Sequence, residues 1–495
     1  MSEPLEYEPG SPPPGMRPPR GRWRWVKRFG GSALLSLLSF VGWVVIDRAW
    51  TRRDCERQWA AARAVVDAED PDWTWERVNE TRAKPPAGRN GADLIPEIKK
   101  QLRPEWGKAL ATPEFAPLLD VPPNERFGGD VLAQVRSELD ASAEAVKLAR
   151  ALKDCPFGHR AIVLKPDVLN TLLPDTQNTR HAADLLKWAV VVATADGDAR
   201  RTADDLMALL NASRSLGDEP FLISQMVRIA VRGVAVRSAE RAVAQRTDLP
   251  LADLQAALLA DADEPLLLYG LRGDRAALDR LLENLETGAV GPDAAFGPGG
   301  GPPFGRLGWW RYRASLPNDR ADLLTRISWW VEVARRPVHE QPALAAGAPP
   351  HPPADAHLAM SRVLLPAAEK VAHAYWRSVA EARCAAVGLA CERFRQKHDR
   401  WPGALADLVP AFLPTVPLDP YGGNPLQYAK SATGAAVYSV GRRPTTEVRT
   451  AAPPVTGLPD GAEFGFRLFD PLLRGRPAPL PVAPPPRLAG PDGQP

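Results

Sequence analysis

The chain has little of what metal and redox chemistry require: four cysteines, seven histidines and five methionines in 495 residues. No CxxC pair occurs and no Cys/His spacing suits zinc, so neither a zinc-stabilised fold nor a dithiol redox site is expected. Cys384 and Cys391 stand seven residues apart in a helical pattern. That spacing separates their Cα atoms by about 10 Å, too far for a disulfide. A bridge would have to join distant segments, Cys155 to one of that pair for example; the expected state is four buried small hydrophobes. Cys55 follows TRRD, which is no lipidation context.

Catalytic signatures are missing too. His339-Glu340 has no second histidine four residues on, so there is no HExxH. Ser439 in VYSVG has Val437 where a nucleophile elbow needs its first glycine. GPGGGPPFG is not followed by GK[ST], and Pro302 occupies the last glycine of a GxGxxG reading, so a loop is expected there, not a phosphate cradle. An excess of one charge is absent as well. The formal charge of +3 is that of residues 1–28, where six basic side chains stand against three acidic ones. The remainder is neutral and demands no basic face for nucleic acid.

What is present is proline and one long apolar run. Fifty-three prolines are about twice the usual share, which assigns much of the chain to loop, linker or tail. Phe29 to Ile46, FGGSALLSLLSFVGWVVI, carries no charge over 18 residues. As a helix it would be about 27 Å long, enough to cross a bilayer core. A cleaved signal peptide has a shorter apolar region and a small-residue cleavage site, whereas WVVIDRAW stands here, so an uncleaved anchor is expected. The six basic residues before it, with Trp23, Trp25, Trp43 and Trp50 as interfacial anchors, set the N-terminus in the cytoplasm.

Beyond the run, Arg52–Ala68 has a helical pattern that Asp70-Pro71 stops, and residues 82–126 are proline-rich with a short helix at Ala92–Leu102. A helical body begins near Gly129, with an apolar stripe of Val131, Val135, Leu139, Val146 and Leu148 to Leu152. Further helices are expected at Asn178–Ala195, Ala199–Leu216, Glu219–Arg246 and Leu251–Asp261. The short connections DGD and GDEP make antiparallel hairpins of them. In the second connection Gly217 suits a left-handed position, Asp218 a cap and Pro220 the first turn of the next helix. The pair 182–216 is reminiscent of a tetratricopeptide hairpin, without a second copy at that period. A further helix is expected at Asp319–Arg335, ending at Pro337.

Candidate functional side chains are few. Trp309, Trp310 and Tyr312, beside Arg306, Arg311 and Arg313, are types that stack on a ring or sugar, and more often types that pack a loop onto a helical body. Glu369 and His373 lie one helical turn apart, as an ion-ligand pair or an ordinary i,i+4 pair. His351 and His357 sit in a proline-rich linker. Gln225, Arg228 and Arg232 share one side of an apolar helix, where they would line a groove, bond internally or snorkel outward. No catalytic, cofactor or metal residue is assigned, and no cofactor is expected.

The richest segment is CERFRQKHDRWPGALADLVPAFLPTVPLDPYGGNPLQY followed by VYSVG, residues 391–428 and 437–441. A helix from Leu358 to about His398 leads into prolines that enforce an extended path. Alternation at Pro425–Ala429 and Ala435–Val440 predicts two strands joined by KSATG, with Glu463–Phe469 as a third. In its order of helix, WP turn, LP.DP.G.P..Y path and YSVG hairpin, residues 384–441 resemble the C-terminal region of type II secretion major pseudopilins. With the anchor and GDEPFLISQMVRIA, the chain resembles single-anchor bacterial envelope proteins that share this ending. The resemblance implies a location and a module, and no activity. It has limits: no glutamate stands at the fifth position after Gly30-Gly31, so prepilin processing is not implied. GRRPTTEV, residues 441–448, puts arginines where pseudopilins carry calcium-binding carboxylates.

The expected fold is therefore mainly α: an irregular helical bundle or hairpin array after one transmembrane helix, with a small C-terminal α+β module of helix plus β-hairpin. The expected divisions are a disordered basic tail (1–28), the anchor (29–46), a membrane-proximal segment (47–126), and a helical domain (127–340) with a Gly/Pro loop near 288–308. A linker (341–357), the pseudopilin-like unit (358–470) and a disordered proline-rich tail (471–495) follow. The expected role is a non-enzymatic scaffold or protein-interaction protein on the bacterial inner membrane, single-pass, with its bulk in the periplasm. Its partners would be the bilayer, through residues 29–46, and envelope proteins, with no nucleic acid. The rival roles are an accessory of a secretion or pilus-like system and a hydrolase of envelope polymers.

Overall fold

The structure is a computed structural model that describes residues 20–112, 119, 121–171, 173–293, 305–350, 358–442, 458–459 and 462–477. The N-terminal stub, most of the Gly/Pro loop, His351 and His357, most of GRRPTTEV and most of the C-terminal tail lie outside the described residues.

Among the described residues are thirteen α-helices. Helix α1, Arg20–Glu69, is 50 residues long. It carries the apolar run and continues without a break into the pattern expected at Arg52–Ala68, about 75 Å in all. Its 18-residue apolar window suits a bilayer span by length and composition, and none of it is buried against the body. Helices α2 (Trp75–Glu80), α3 (Leu94–Gln101), α4 (Gly129–Asp140) and α5 (Ala143–Ala151) follow. The body proper follows with α6 (Pro174–Ala195), α7 (Ala199–Arg214), α8 (Leu222–Val243) and α9 (Ala252–Ala262); α6 packs on α7 and α7 on α8.

Several elements depart from the pattern of the sequence. Leu266–Thr287 forms a 22-residue helix, α10, where the sequence pattern predicts none; Gly270 and Gly273 dilute its periodicity. Both glycines lie against the start of α8, where a Cβ on Gly273 would meet Pro220 O at 1.8 Å. Helix α11 runs from Gly305 to Arg335, not from Asp319, and Pro317 sits inside it. Proline there costs one hydrogen bond, but the helix is held on both sides by α1 and α10. A short α12 (Gln341–Ala345) and the 40-residue α13 (Ala359–His398) complete the set.

The sheet is three antiparallel strands in the order β1 (Gln427–Ser431), β2 (Gly434–Ser439) and β3 (Phe464–Phe469). Ser431 pairs with Gly434, so the hairpin turns on two residues, not the five of KSATG. Gly434 makes this possible with φ +145°, a conformation that side-chain-bearing residues rarely adopt. The sheet packs on α13, and Gly388 is the point of closest approach: a Cβ there would lie 2.4 Å from the Phe466 ring.

Helix α13 runs through two buried cores. Its first half, Met360 to Ala382, packs with α10 and α11 around Leu271, Leu281, Val331 and Trp376. Its second half, Cys384 to Phe394, packs with α6 to α9 and the sheet around Leu186, Leu209, Val437 and Phe466. Two ion pairs bind the strands and C-terminal segment to the helices. Arg467 on β3 grips Glu240 on α8 at 2.8 and 2.9 Å, and Arg474 grips Glu392 on α13 at 2.8 and 2.7 Å. All four cysteines are buried and unpaired.

Candidate functional site

The three aromatic residues near the start of α11 do not share one open face. Tyr312 is buried, and its hydroxyl donates to Asp319, about two turns further along the helix. Asp319 in turn accepts from the amides of Met360 and Ser361 at 2.8 and 2.9 Å and from the Ser361 hydroxyl at 2.7 Å. It thereby satisfies open N–H groups at the start of α13. Burial raises the Asp319 carboxyl, and these donors pull it back only in part. Trp309 is half-buried with its ring 5.8 Å from that of Tyr312. Trp310 alone of the three is exposed, at 41%, and the Arg48 guanidinium of α1 lies 3.9 Å over its ring. Such a stack is a favourable cation–π contact. The rings therefore join helices to one another, and a flat sugar platform is not what they form.

That stack is the first rung of a long seam between α1 and α11. Arg52 pairs with Glu286 at the end of α10 at 3.1 Å, and Arg320 lies 4.2 Å over the Trp59 ring. Arg320 also holds Asp279 through two bonds of 2.5 and 2.8 Å. Val66, Trp73 and Leu324 form a small apolar core of their own. The seam ends at Asp70, just past the last turn of α1. Its carboxylate is buried and bound by Arg275, by Arg272 at 3.0 Å and by Arg335 at 2.9 Å. Burial would raise this carboxyl, but the guanidiniums of Arg275 and Arg272 hold it below its ordinary value. The sequence marks Asp70 only as a helix stop; nothing in one aspartate among many announces three arginine partners.

A second buried carboxylate explains Gln225, Arg228 and Arg232. All three are buried on α8, and the two arginines converge on Asp261 at the end of α9, at 2.8 and 2.6 Å. Arg214 of α7 adds a third contact at 3.2 Å. Further N–H groups are taken by carbonyls: Arg228 on Gly217, Arg232 on Asp261 itself and, through Nε2, Gln225 on Glu219. Of the alternatives open to this polar stripe, internal bonding is what the structure adopts.

Asp218 does not cap α8. It turns outward to hold Arg82 at 3.0 Å and the Ala83 amide at 2.8 Å. The cap comes from α10 instead, where Asp274 accepts from the Leu222 amide at 3.3 Å. Asp274 faces a cavity of about 220 Å³ whose wall is almost wholly apolar, with Leu169, Phe221, Ile223, Leu278 and Leu364 among its lining. Burial pushes its carboxyl up to about 7, and the bond from that amide opposes the rise. Glu369 and His373 line a different, polar cavity of about 320 Å³ with Arg326 and Arg442. Their closest atoms are 3.7 Å apart, and the His373 ring stands edge-on to Trp376. Among the described residues no three His, Cys, Asp or Glu side chains gather where they would hold a metal ion.

The DP pair and the hairpin of the C-terminal motif bond to one another. Asp419 of the DP pair is buried and accepts from the Tyr421 amide and the Ser439 hydroxyl, each at 3.0 Å. Its amide donates to Asn424 O at 2.7 Å, closing the YGGN loop. Tyr428 donates to Pro402 O at 3.1 Å. The motif thus closes its own loop around Asp419, while Arg393 and Gln396 and the Phe412 carbonyl tie it to Gln255, Thr247 and Leu249 of the helical body. No family model, curated protein or solved structure matches the chain.

Proposed function

We propose that this chain is a membrane-anchored scaffold or protein-interaction protein of the bacterial envelope, with its helical body outside the cytoplasm. The observation that carries the reading is the continuity of α1. One helix bears both the exposed apolar run and the ion-paired seam that ends at Asp70. A cleavable leader has no need of a built joint to the mature body; a permanent anchor does. The basic flank before the run supports an N-terminus in the cytoplasm.

Alkaline phosphatase fused after Gly475 tests this. The fusion is expected to be active and to stay with the membrane pellet after carbonate extraction. Activity in the supernatant would point to cleavage, and an inactive fusion to the reverse orientation. A role as accessory to a secretion or pilus-like system is the second reading, supported by the packing of the sheet on α13 and the closed DP–YGGN loop. Cross-linking in membranes that recovers a secretion ATPase or platform protein would favour it over the scaffold reading.

A further inference from the structure

The seam between α1 and α11 fixes where the body meets the bilayer. Arg48 lies beside Trp310, Trp59 beside Arg320, and Asp70 beside Arg335. The two helices therefore run side by side in the same direction, with nearly constant register. By that register the first turn of α11, residues 305–308, runs level with residues 43–46, the last turn of the uncharged run. The end of α10 comes to nearly the same level, since Glu286 pairs with Arg52 and its carbonyl accepts from Arg313 at 2.9 Å. Arg52 is six residues past Ile46, about 9 Å of helical rise, which is at the outer edge of the headgroup layer of a bilayer spanned by residues 29–46. The residues at that level are of the interfacial kind. Trp310 is exposed beside the Arg48 guanidinium, and Trp50 on α1 is exposed to 74%. Tryptophan and arginine are favoured where one side of a residue is apolar and the other wet.

We infer that the first turns of α11, with Trp310 and the adjoining end of α10, rest in the interfacial layer of the same lipid bilayer that α1 crosses. The body then stands on the membrane at two points and is not carried clear of it on a stalk. The inference depends on reading α1 as the span and deepens that reading by naming the lipid surface as partner of Trp310 and Trp50.

The test uses the full chain in nanodiscs of phosphatidylethanolamine and phosphatidylglycerol, with an environment-sensitive fluorophore on single introduced thiols. The four native thiols are buried, which favours labelling at the new site. Four positions are compared: Trp43→Cys within the span, Trp310→Cys, Ala289→Cys just past α10, and Arg336→Cys at the far end of α11. Ala289 is exposed and leaves the aromatic pair intact, so it reports even if Trp310→Cys perturbs the seam. Nitroxide-bearing lipid is expected to quench the labels at 43, 310 and 289 and to leave that at 336 unquenched. Quenching at 43 without quenching at 310 and 289 would overturn the second contact and leave the anchor standing. No quenching at 43 would remove the anchor reading and this inference with it.

Discussion

Asp261→Ala is expected to destabilise the folded chain by about 3–5 kcal/mol, the usual cost of leaving buried charges without their partner. Asp261 and Arg232 are fully buried and Arg228 is 3% exposed, so solvent cannot replace the lost carboxylate. Three guanidiniums would be left facing one another across the junction of α7, α8 and α9. Burial by itself would raise the Asp261 carboxyl; the arginines, Arg232 foremost, overcome this and hold it well below the ordinary carboxylate range. The sign of the pH dependence follows. A carboxyl depressed on folding contributes stability that is complete above its unfolded value, about 4, and is lost as pH falls toward its folded value. Urea unfolding of parent and variant at neutral pH measures the loss, and a difference below about 1 kcal/mol, the worth of an exposed pair, would contradict it. Adding Arg232→Met to Asp261→Ala is expected to recover part of the loss, because one unpaired charge leaves with its side chain.

Asp274→Asn is expected to do the opposite. The Asp274 carboxyl is raised to about 7 by burial, against the single opposing bond from the Leu222 amide. Asp274 is half-buried, and the cavity that it faces has a mostly apolar wall that solvates the charged form poorly. A carboxyl whose pKa rises on folding keeps its proton in the folded state, so stability declines as pH climbs from about 4 to about 7 and stays reduced above that. Asparagine keeps an oxygen for the Leu222 amide and carries no charge. The variant is therefore expected to match the parent near pH 4 and to exceed it at pH 8 by about 2–4 kcal/mol, since each tenfold change in proton affinity on folding is worth about 1.4 kcal/mol. Thermal unfolding at several pH values reads this directly. A gain that is the same at every pH would mean that the side-chain swap, and not the proton, is responsible.

The parts of the fold that are legible in the sequence are those fixed by local pattern. The apolar stripes of α6 to α9, the short DGD and GDEP connections and the alternation of the strands lead to the observed hairpins and sheet. Gly217 does adopt a positive φ, +57°. What is not legible depends on partners far away in the chain. Asp319–Arg335 reads as the whole helix, yet α11 begins at Gly305 and passes through Pro317, flanked by α1 and α10. Asp218 reads as a cap because it precedes a helix, but Arg82 claims it and Asp274 caps from another helix. Tyr312 reads as one of three rings that pack a loop onto the body or stack on a ligand; that its hydroxyl bonds to Asp319 under the start of α13 is set by the fold. Each buried aspartate has the same local signature as an exposed one, and only the fold decides which of them meets an arginine.

The seam has one central consequence: the helix that carries the apolar run enters the body without a hinge. Spin labels at Trp43→Cys and Arg336→Cys in the full chain, in nanodiscs, measure this by double electron–electron resonance. Residue 43 lies 27 residues before Asp70, about 40 Å along the helix, and Arg335 sits at Asp70. The expected result is one narrow distance distribution centred near that length, broadened when Asp70→Ala removes the seat. A broad distribution in the chain with Asp70 intact would contradict the rigid joint.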